Sequence, residues 1–253
     1  MLSPADIAKQ SLKIAESKAK LPARKMILLG IFAGIFIALA ATAATFGNHY
    51  VGKVAGACIF PAGLAMVVVA GSELFTGNNL MLAALFSKKL TFKDLFKNWS
   101  LVFLGNFIGS ILIAALVVMS GVFDGISETV VATAINKIDL NFFEAFCRGI
   151  LCNILVCVAV WMSFAADTVP GKILAVFFPI MLFVLCGFEH SVANMFYVPA
   201  GIFEAARSGA AVEGLNFGTF LINNLLPVTL GNIVGGAGIV ATGYYLAYLR
   251  KAK

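Results

Sequence analysis

Two segments of this chain carry polar residues where the surrounding sequence is almost wholly apolar: Glu73-Leu-Phe-Thr-Gly-Asn78 and Glu189-His-Ser-Val-Ala-Asn194. Both read Glu-x4-Asn, and they hold a threonine hydroxyl, Thr76, and an imidazole, His190. Hydroxyl and imidazole groups can donate hydrogen bonds to a small anion, and histidine also exchanges a proton near neutral pH. His190 stands in one segment as Thr76 stands in the other. Glu73 and Glu189 would repel an anion, so they are expected to brace these segments, accepting backbone N–H bonds or pairing with lysine behind a pore wall. A second chemistry, a hydrolase with Ser191 as nucleophile and His190 as base, is disfavoured: adjacent residues seldom reach that geometry, and no third orienting group is evident. The five cysteines lie in apolar runs without a Cys-x-x-Cys pair, so they are expected as small buried residues, and neither a disulfide framework nor a zinc site is expected. No cofactor or metal is implied.

The elements that hold these residues follow from composition. Of 253 residues, 61% are hydrophobic and 12% charged, about half the charged fraction of a soluble domain. Disorder and collagen-like repeats are excluded as well, and the fold class is an all-α integral membrane protein. Stretches of about 20 apolar residues cross a bilayer as helices. Such spans fall near 26–46, 54–87, 98–121, 142–166, 171–207 and 220–249. The second and fifth are too long for one crossing, and the two Glu-x4-Asn segments interrupt them. No cleavable signal peptide is apparent before the first.

Placing the amino end in the cytoplasm puts fourteen of the eighteen lysines and arginines inside and three outside, with Arg148 in a span. This is a strong positive-inside bias, and it leaves both termini cytoplasmic. It also accounts for the net charge of +6 without a nucleic-acid partner. Trp99, Tyr244, Tyr245 and Tyr248 fall near cytoplasmic span ends, as interfacial aromatics. Residues 3–20 read as an amphipathic helix capped by Ser3, with Pro4 and Asp6 in its first turn. Its lysines would lie on anionic lipid; a gating role is the alternative. Glu144 and Arg148, four apart, are expected to pair on one helix face.

The halves repeat. Gly30-Ile-Phe-Ala-Gly34 corresponds to Gly149-Ile-Leu-Cys-Asn153, and Leu104-Gly-Asn-Phe-Ile-Gly109 to Leu230-Gly-Asn-Ile-Val-Gly235, in register with the Glu-x4-Asn segments. An odd number of spans per unit inverts one half relative to the other, and inverted repeats with broken helices are a transport architecture. Half-helices starting near Thr76–Asn78 and His190–Ser191 would aim free N–H groups inward, which favours an anion. The Gly-x3-Gly pairs would let the third and sixth helices approach closely. The expected organisation is a cytoplasmic N-terminal helix over 1–25, a transmembrane domain over 26–249 with repeats at about 26–121 and 142–249, and a cytoplasmic tail over 250–253.

The stretches Gly71-Ser-Glu-Leu-Phe-Thr-Gly-Asn78, Lys97-Asn-Trp99, Cys152-Asn-Ile-Leu-Val-Cys-Val-Ala-Val-Trp161, Gly187-Phe-Glu-His-Ser-Val-Ala-Asn-Met195 and Asn224-Leu-Leu-Pro-Val-Thr-Leu-Gly-Asn-Ile-Val-Gly-Gly236 resemble the formate/nitrite transporter family of bacterial monovalent-anion channels. The resemblance implies an aquaporin-like protomer with six transmembrane helices, the second and fifth broken, assembled as a homopentamer with one pore per protomer. It implies a bacterial inner-membrane protein, in contact with lipid, that passes formate, nitrite or hydrosulfide, with formate the first expectation. By position, the family's central histidine is His190, its loop threonine Thr76 and its polar span-four asparagine Asn153. Its outer constriction falls on Phe60 and Phe183, its inner one on Leu64, Leu74, Phe75 and Val156, and its vestibule lysine on Lys137. The implied mechanism holds the anion at Thr76, Asn153 and His190, with possible proton transfer. A pore for a neutral solute, water or ammonia, is the competing class. The Asn-Pro-Ala pair of aquaporins is absent, and so are the paired pore histidines of ammonium channels.

Overall fold

The structure, a computed structural model, describes residues 2–210 and 212–250 and contains no strand among them; residues 251–253 of the expected tail lie outside this range. Its helices are α1 Pro4–Ala19, α2 Ala23–Tyr50, α3 Lys53–Ala70, α4 Phe75–Phe86, α5 Phe92–Met119, α6 Ser127–Ile138, α7 Phe142–Ser163, α8 Val169–Cys186, α9 Ser191–Ser208 and α10 Phe217–Leu249. Among the described residues, six of these, α2, α3, α5, α7, α8 and α10, are long and apolar enough to cross a membrane.

Local chemistry explains the boundaries. Helix α5 starts before residue 98 because Thr91 and Asp94 form a reciprocal cap: Asp94 N–H donates to Thr91 Oγ1 at 3.2 Å, and Thr91 N–H donates to Asp94 Oδ2 at 2.9 Å. Asn141 and Glu144 cap α7 in the same way, with Asn141 N–H donating to Glu144 Oε2 at 3.3 Å. This cap corrects the expected Glu144–Arg148 pair, because the glutamate turns back to the helix start and Arg148 stays exposed. Helix α6, which the hydropathy pattern does not reveal, fills the connection between the third and fourth spans and buries Val130, Val131, Ala134 and Ile138.

The two breaks share one geometry. Helix α3 stops at Gly71 (φ +79°) and α8 at Gly187 (φ +72°), left-handed caps that strain any residue with a Cβ. After a short extended link, α4 and α9 resume the path. They do not pack within their own repeat alone. Helix α4 lies against α7 and α10, while α9 lies against α5 and α2, so each second half-helix locks into the other unit.

The Gly-x3-Gly residues act within each repeat rather than between the third and sixth helices. Helix α5 packs on α2, and α10 on α7. A Cβ on Gly105 would stand 2.9 Å from the Gly30 Cα, and one on Gly231 would stand 3.1 Å from the Gly149 Cα.

Ser3 caps α1 as expected, accepting the Asp6 N–H at 3.3 Å. The apolar stripe of α1 is covered by protein: Ile7 and Ala8 join a cluster with Leu80, Trp161 and Val240, and Ala15 joins Met81, Ala84 and Leu95. Two expectations need correction. Trp99 is not an interfacial aromatic, since its indole N–H donates to the Asn78 carbonyl at 3.0 Å inside the first break. Cys152 and Cys157 are buried, but Cys186 is exposed at the end of α8.

Candidate functional site

Each break is held by one buried asparagine from the repeat's last span. Asn106 Nδ2 donates to the carbonyls of Gly30 (2.8 Å) and Glu73 (2.9 Å), and its Oδ1 accepts the Phe75 N–H at 2.9 Å. Asn232 repeats this: it donates to Gly149 (2.8 Å) and Glu189 (3.0 Å) and accepts the Ser191 N–H at 2.9 Å. The glutamate N–H groups complete the pattern, Glu73 to Leu29 O and Glu189 to Arg148 O, each at 3.2 Å. These backbone groups, freed by the interrupted helices, are therefore satisfied within the protein, as a non-helical segment in hydrocarbon requires. The first N–H of each half-helix is consequently taken, which narrows the expected set of free N–H donors to those further into the turn.

The glutamates are paired as well. Lys18 Nζ lies 2.7 Å from Glu73 Oε1, and Asn78 Nδ2 donates to Glu73 Oε2 at 2.7 Å and to Asn98 Oδ1 at 2.8 Å. In the second half, Lys137 Nζ lies 3.0 Å from both Glu189 oxygens. Asn194 Nδ2 donates to Glu189 Oε2 at 2.6 Å and to Asn224 Oδ1 at 2.7 Å. The lysine pairing matches expectation; the other partners are asparagine side chains rather than backbone N–H groups.

Lys18 was not foreseen as a partner, yet a signal exists. It lies twelve residues before Gly30, as Lys137 lies twelve before Gly149, and each ends a helix, α1 or α6, ahead of the repeat's first span. The repeat unit thus begins one helix earlier than the spans alone indicate, and α1 is the counterpart of α6.

His190 and Thr76 meet between the breaks. Thr76 Oγ1 and His190 Nε2 are 2.9 Å apart, and the Ala193 N–H donates to His190 Nδ1 at 3.0 Å. Because Nδ1 accepts, the neutral imidazole carries its hydrogen on Nε2 and donates to the threonine oxygen. The Thr76 hydroxyl hydrogen is then left for a third partner. In the repeat register Thr76 is not the counterpart of His190: Leu74 is, and Thr76 corresponds to Val192. The two polar groups come together because the second half-helices cross over.

Asn153 is at this centre, but both of its amide hydrogens are engaged, with Thr76 O at 3.3 Å and Asn232 O at 2.7 Å. Cys157, absent from the sequence-based site, also donates to Thr76 O, at 3.4 Å. The carbonyl side of Thr76 is therefore clamped by α7.

Phe183 stacks on the His190 ring (centroids 5.8 Å, 18°) and meets Phe60 edge-on at 5.7 Å. Phe60 and Phe183 floor a cavity of about 170 Å³ shared with Lys53, Lys137, Glu189 and His190. Leu64 and Leu74 face another cavity, of about 690 Å³, on the side of α1, where Lys18, Glu73 and Lys172 also stand. Phe75 and Val156 line neither cavity: both are buried in the core, and Phe75 packs edge-on against Phe103 at 5.0 Å. Ser191 Oγ is buried without a hydrogen-bond partner, so the Ser191–His190 contact a hydrolase needs is not formed. Among the described residues no three His, Cys, Asp or Glu side chains cluster to hold a metal.

Comparisons with known proteins agree with this architecture. A sequence model described as formate/nitrite transporter matches residues 5–246. The chain is 42% identical to a formate channel, FocA, of Haemophilus influenzae, over 94% of this chain and 92% of that one. It is 40% identical to a probable formate transporter of Methanothermobacter thermautotrophicus, over 98% of both. A solved pentameric formate channel with formate bound, 40% identical, superposes with a TM-score of 0.81 over 90% of this chain and 98% of its own. By a match that spans nearly every helix and relatives that align almost end to end, the chain belongs to the formate/nitrite transporter family.

Proposed function

We propose that this protein is a membrane channel for the small monovalent anions of weak acids, with formate as its first substrate. The observation that carries the reading is the Thr76–His190 pair, set between two braced helix breaks with an apolar gate and a cavity on either side. Family membership and the formate channels among the relatives support the same substrate class. Nitrite and hydrosulfide share formate's charge and small size.

On this reading each side chain has a role. The anion passes the Phe60–Phe183 gate, sheds water and meets the Thr76 hydroxyl, which His190 orients by donating from Nε2. Asn153 acts as a brace that fixes the Thr76 carbonyl, rather than as a donor. Leu64 and Leu74, backed by Phe75 and Val156, form the second apolar gate. A bare charge at mid-bilayer costs several kcal/mol, so hydrogen bonds from Thr76 and the half-helix ends, or a proton taken up on entry, must offset it. A second proton on His190 would displace the Ala193 N–H from Nδ1. The imidazole therefore acts first as an orienting group, and the proton on a neutral acid comes from vestibule water.

The protomer is read as one of five in a ring, in a bacterial inner membrane with both termini cytoplasmic. Residues 1–25 then form a cytoplasmic helix docked under the pore, ahead of the channel domain over 26–249, and the α1-side cavity is the inner vestibule. In proteoliposomes the protein is expected to carry saturable formate flux, and a His190→Phe variant is expected to lose most of it. Stopped-flow water permeability should stay at the lipid background. Water flux with no flux of formate, nitrite or hydrosulfide would replace the reading by a neutral pore.

A further inference from the structure

The two lysines of the 170 Å³ cavity are not equivalent, and the difference bears on how an anion enters. The Lys137 ammonium is bonded to both oxygens of Glu189 at 3.0 Å and sits 5.3 Å from the centre of the Tyr197 ring. Its side chain is 15% exposed, and its charge is compensated by a carboxylate that is 6% exposed. Lys53 lines the same cavity, is exposed, and has no carboxylate partner among the described residues. It stands in the first turn of α3, two turns above Phe60 on the same helix. Its Nζ reaches the end of α8, 4.0 Å from where a Cβ on Gly187 would lie. The negative end of α8 favours a cation there. Glu189 cancels Lys137, so the positive charge of this mouth rests on Lys53.

We propose that Lys53 forms the entry subsite for anions on this face, holding a small monovalent anion above the Phe60–Phe183 gate before it reaches Thr76. Lys137, by contrast, holds Glu189 and the second break in place. The inference rests on the anion-channel reading above and assigns the electropositive role of the mouth to a residue that the family resemblance did not supply. A fixed charge in a low-dielectric mouth raises the local anion concentration and weakens as salt screens it.

The test is formate flux in proteoliposomes for wild type, Lys53→Gln and Lys53→Arg, each at low and at about 0.5 M ionic strength. Lys53→Gln is expected to raise the half-saturating formate concentration roughly three- to tenfold at low salt and to leave the maximal rate within about twofold. The difference should shrink at high salt, and Lys53→Arg should behave as wild type. A Lys53→Gln channel with wild-type half-saturation and salt dependence would overturn the proposal while leaving the anion channel standing. A loss of maximal rate alone, uncorrected in Lys53→Arg, would also overturn it, because that pattern marks a structural role. If the wild type moves no formate, nitrite or hydrosulfide, the anion-channel reading fails first and the subsite falls with it.

Discussion

The two helix breaks are alike in the asparagines and glutamates that hold them and unlike in what they present. Asn106 and Asn232 make the same three bonds, and Glu73 and Glu189 each take a lysine and an asparagine amide. At the position before each half-helix, however, the first break has Leu74 and the second has His190; two residues further, the first has Thr76 and the second Val192. Duplication supplied a symmetric scaffold, and the chemistry comes from breaking the symmetry at these two positions. The crossing of α4 and α9 then puts the two exceptions in contact at 2.9 Å.

The comparison can be broken first at the braces. Asn106→Ala or Asn232→Ala removes three buried hydrogen bonds and leaves backbone groups unpaired, so each should destabilise the protein by about 2–4 kcal/mol. Unfolding in mixed micelles should show the two losses within about 1 kcal/mol of each other; a large inequality would mean the breaks are not equivalent in structure.

A smaller and unequal effect is expected at the glutamates. Glu189→Gln leaves Lys137 on a packed helix, its side chain only 15% exposed and without its counter-charge, and should cost about 2–3 kcal/mol. Glu73→Gln leaves Lys18, 24% exposed on the peripheral helix α1, able to turn outward, and should cost about 1 kcal/mol. Equal losses would show that α1 is held as firmly as α6. The smallest effect belongs to the α1 cap. Ser3→Ala removes the bond to the Asp6 N–H and should loosen α1 by about 1 kcal/mol, read as faster amide exchange over Pro4–Ala19 with exchange in α6 unchanged.

Much of this asymmetry was legible before any coordinates, because the Glu-x4-Asn and Leu-Gly-Asn segments align the repeats, and polar residues in apolar runs stand out. The six spans followed from apolar length, and their two interruptions from the polar segments inside the two overlong ones. What remained hidden depended on contacts across the folded chain. Lys18 meets Glu73 across 55 positions and Thr76 meets His190 across 114, distances over which periodicity carries no signal. The alignment itself misled where it was read by residue type: pairing His190 with Thr76 matched their chemistry but not their register. Helix α6 was missed because it is too short and too amphipathic to register as a span. The Glu144–Arg148 spacing allowed a pair, but the cap at Asn141 competes for the same carboxylate and wins.

The central claim is that an anion crosses the membrane by hydrogen bonding to Thr76 between the two breaks. It is tested most directly by formate flux through Thr76→Val in proteoliposomes, with unfolding measured on the same preparation. Valine keeps the shape, as Val192 does at the equivalent position, and removes only the hydroxyl. Loss of one hydrogen bond to a charged ligand is worth about 1.5–3 kcal/mol, so flux should fall about ten- to a hundredfold, while the His190 Nε2–H left without its acceptor lowers stability by about 1–3 kcal/mol without unfolding the channel. Wild-type flux in a normally folded Thr76→Val channel would contradict the account.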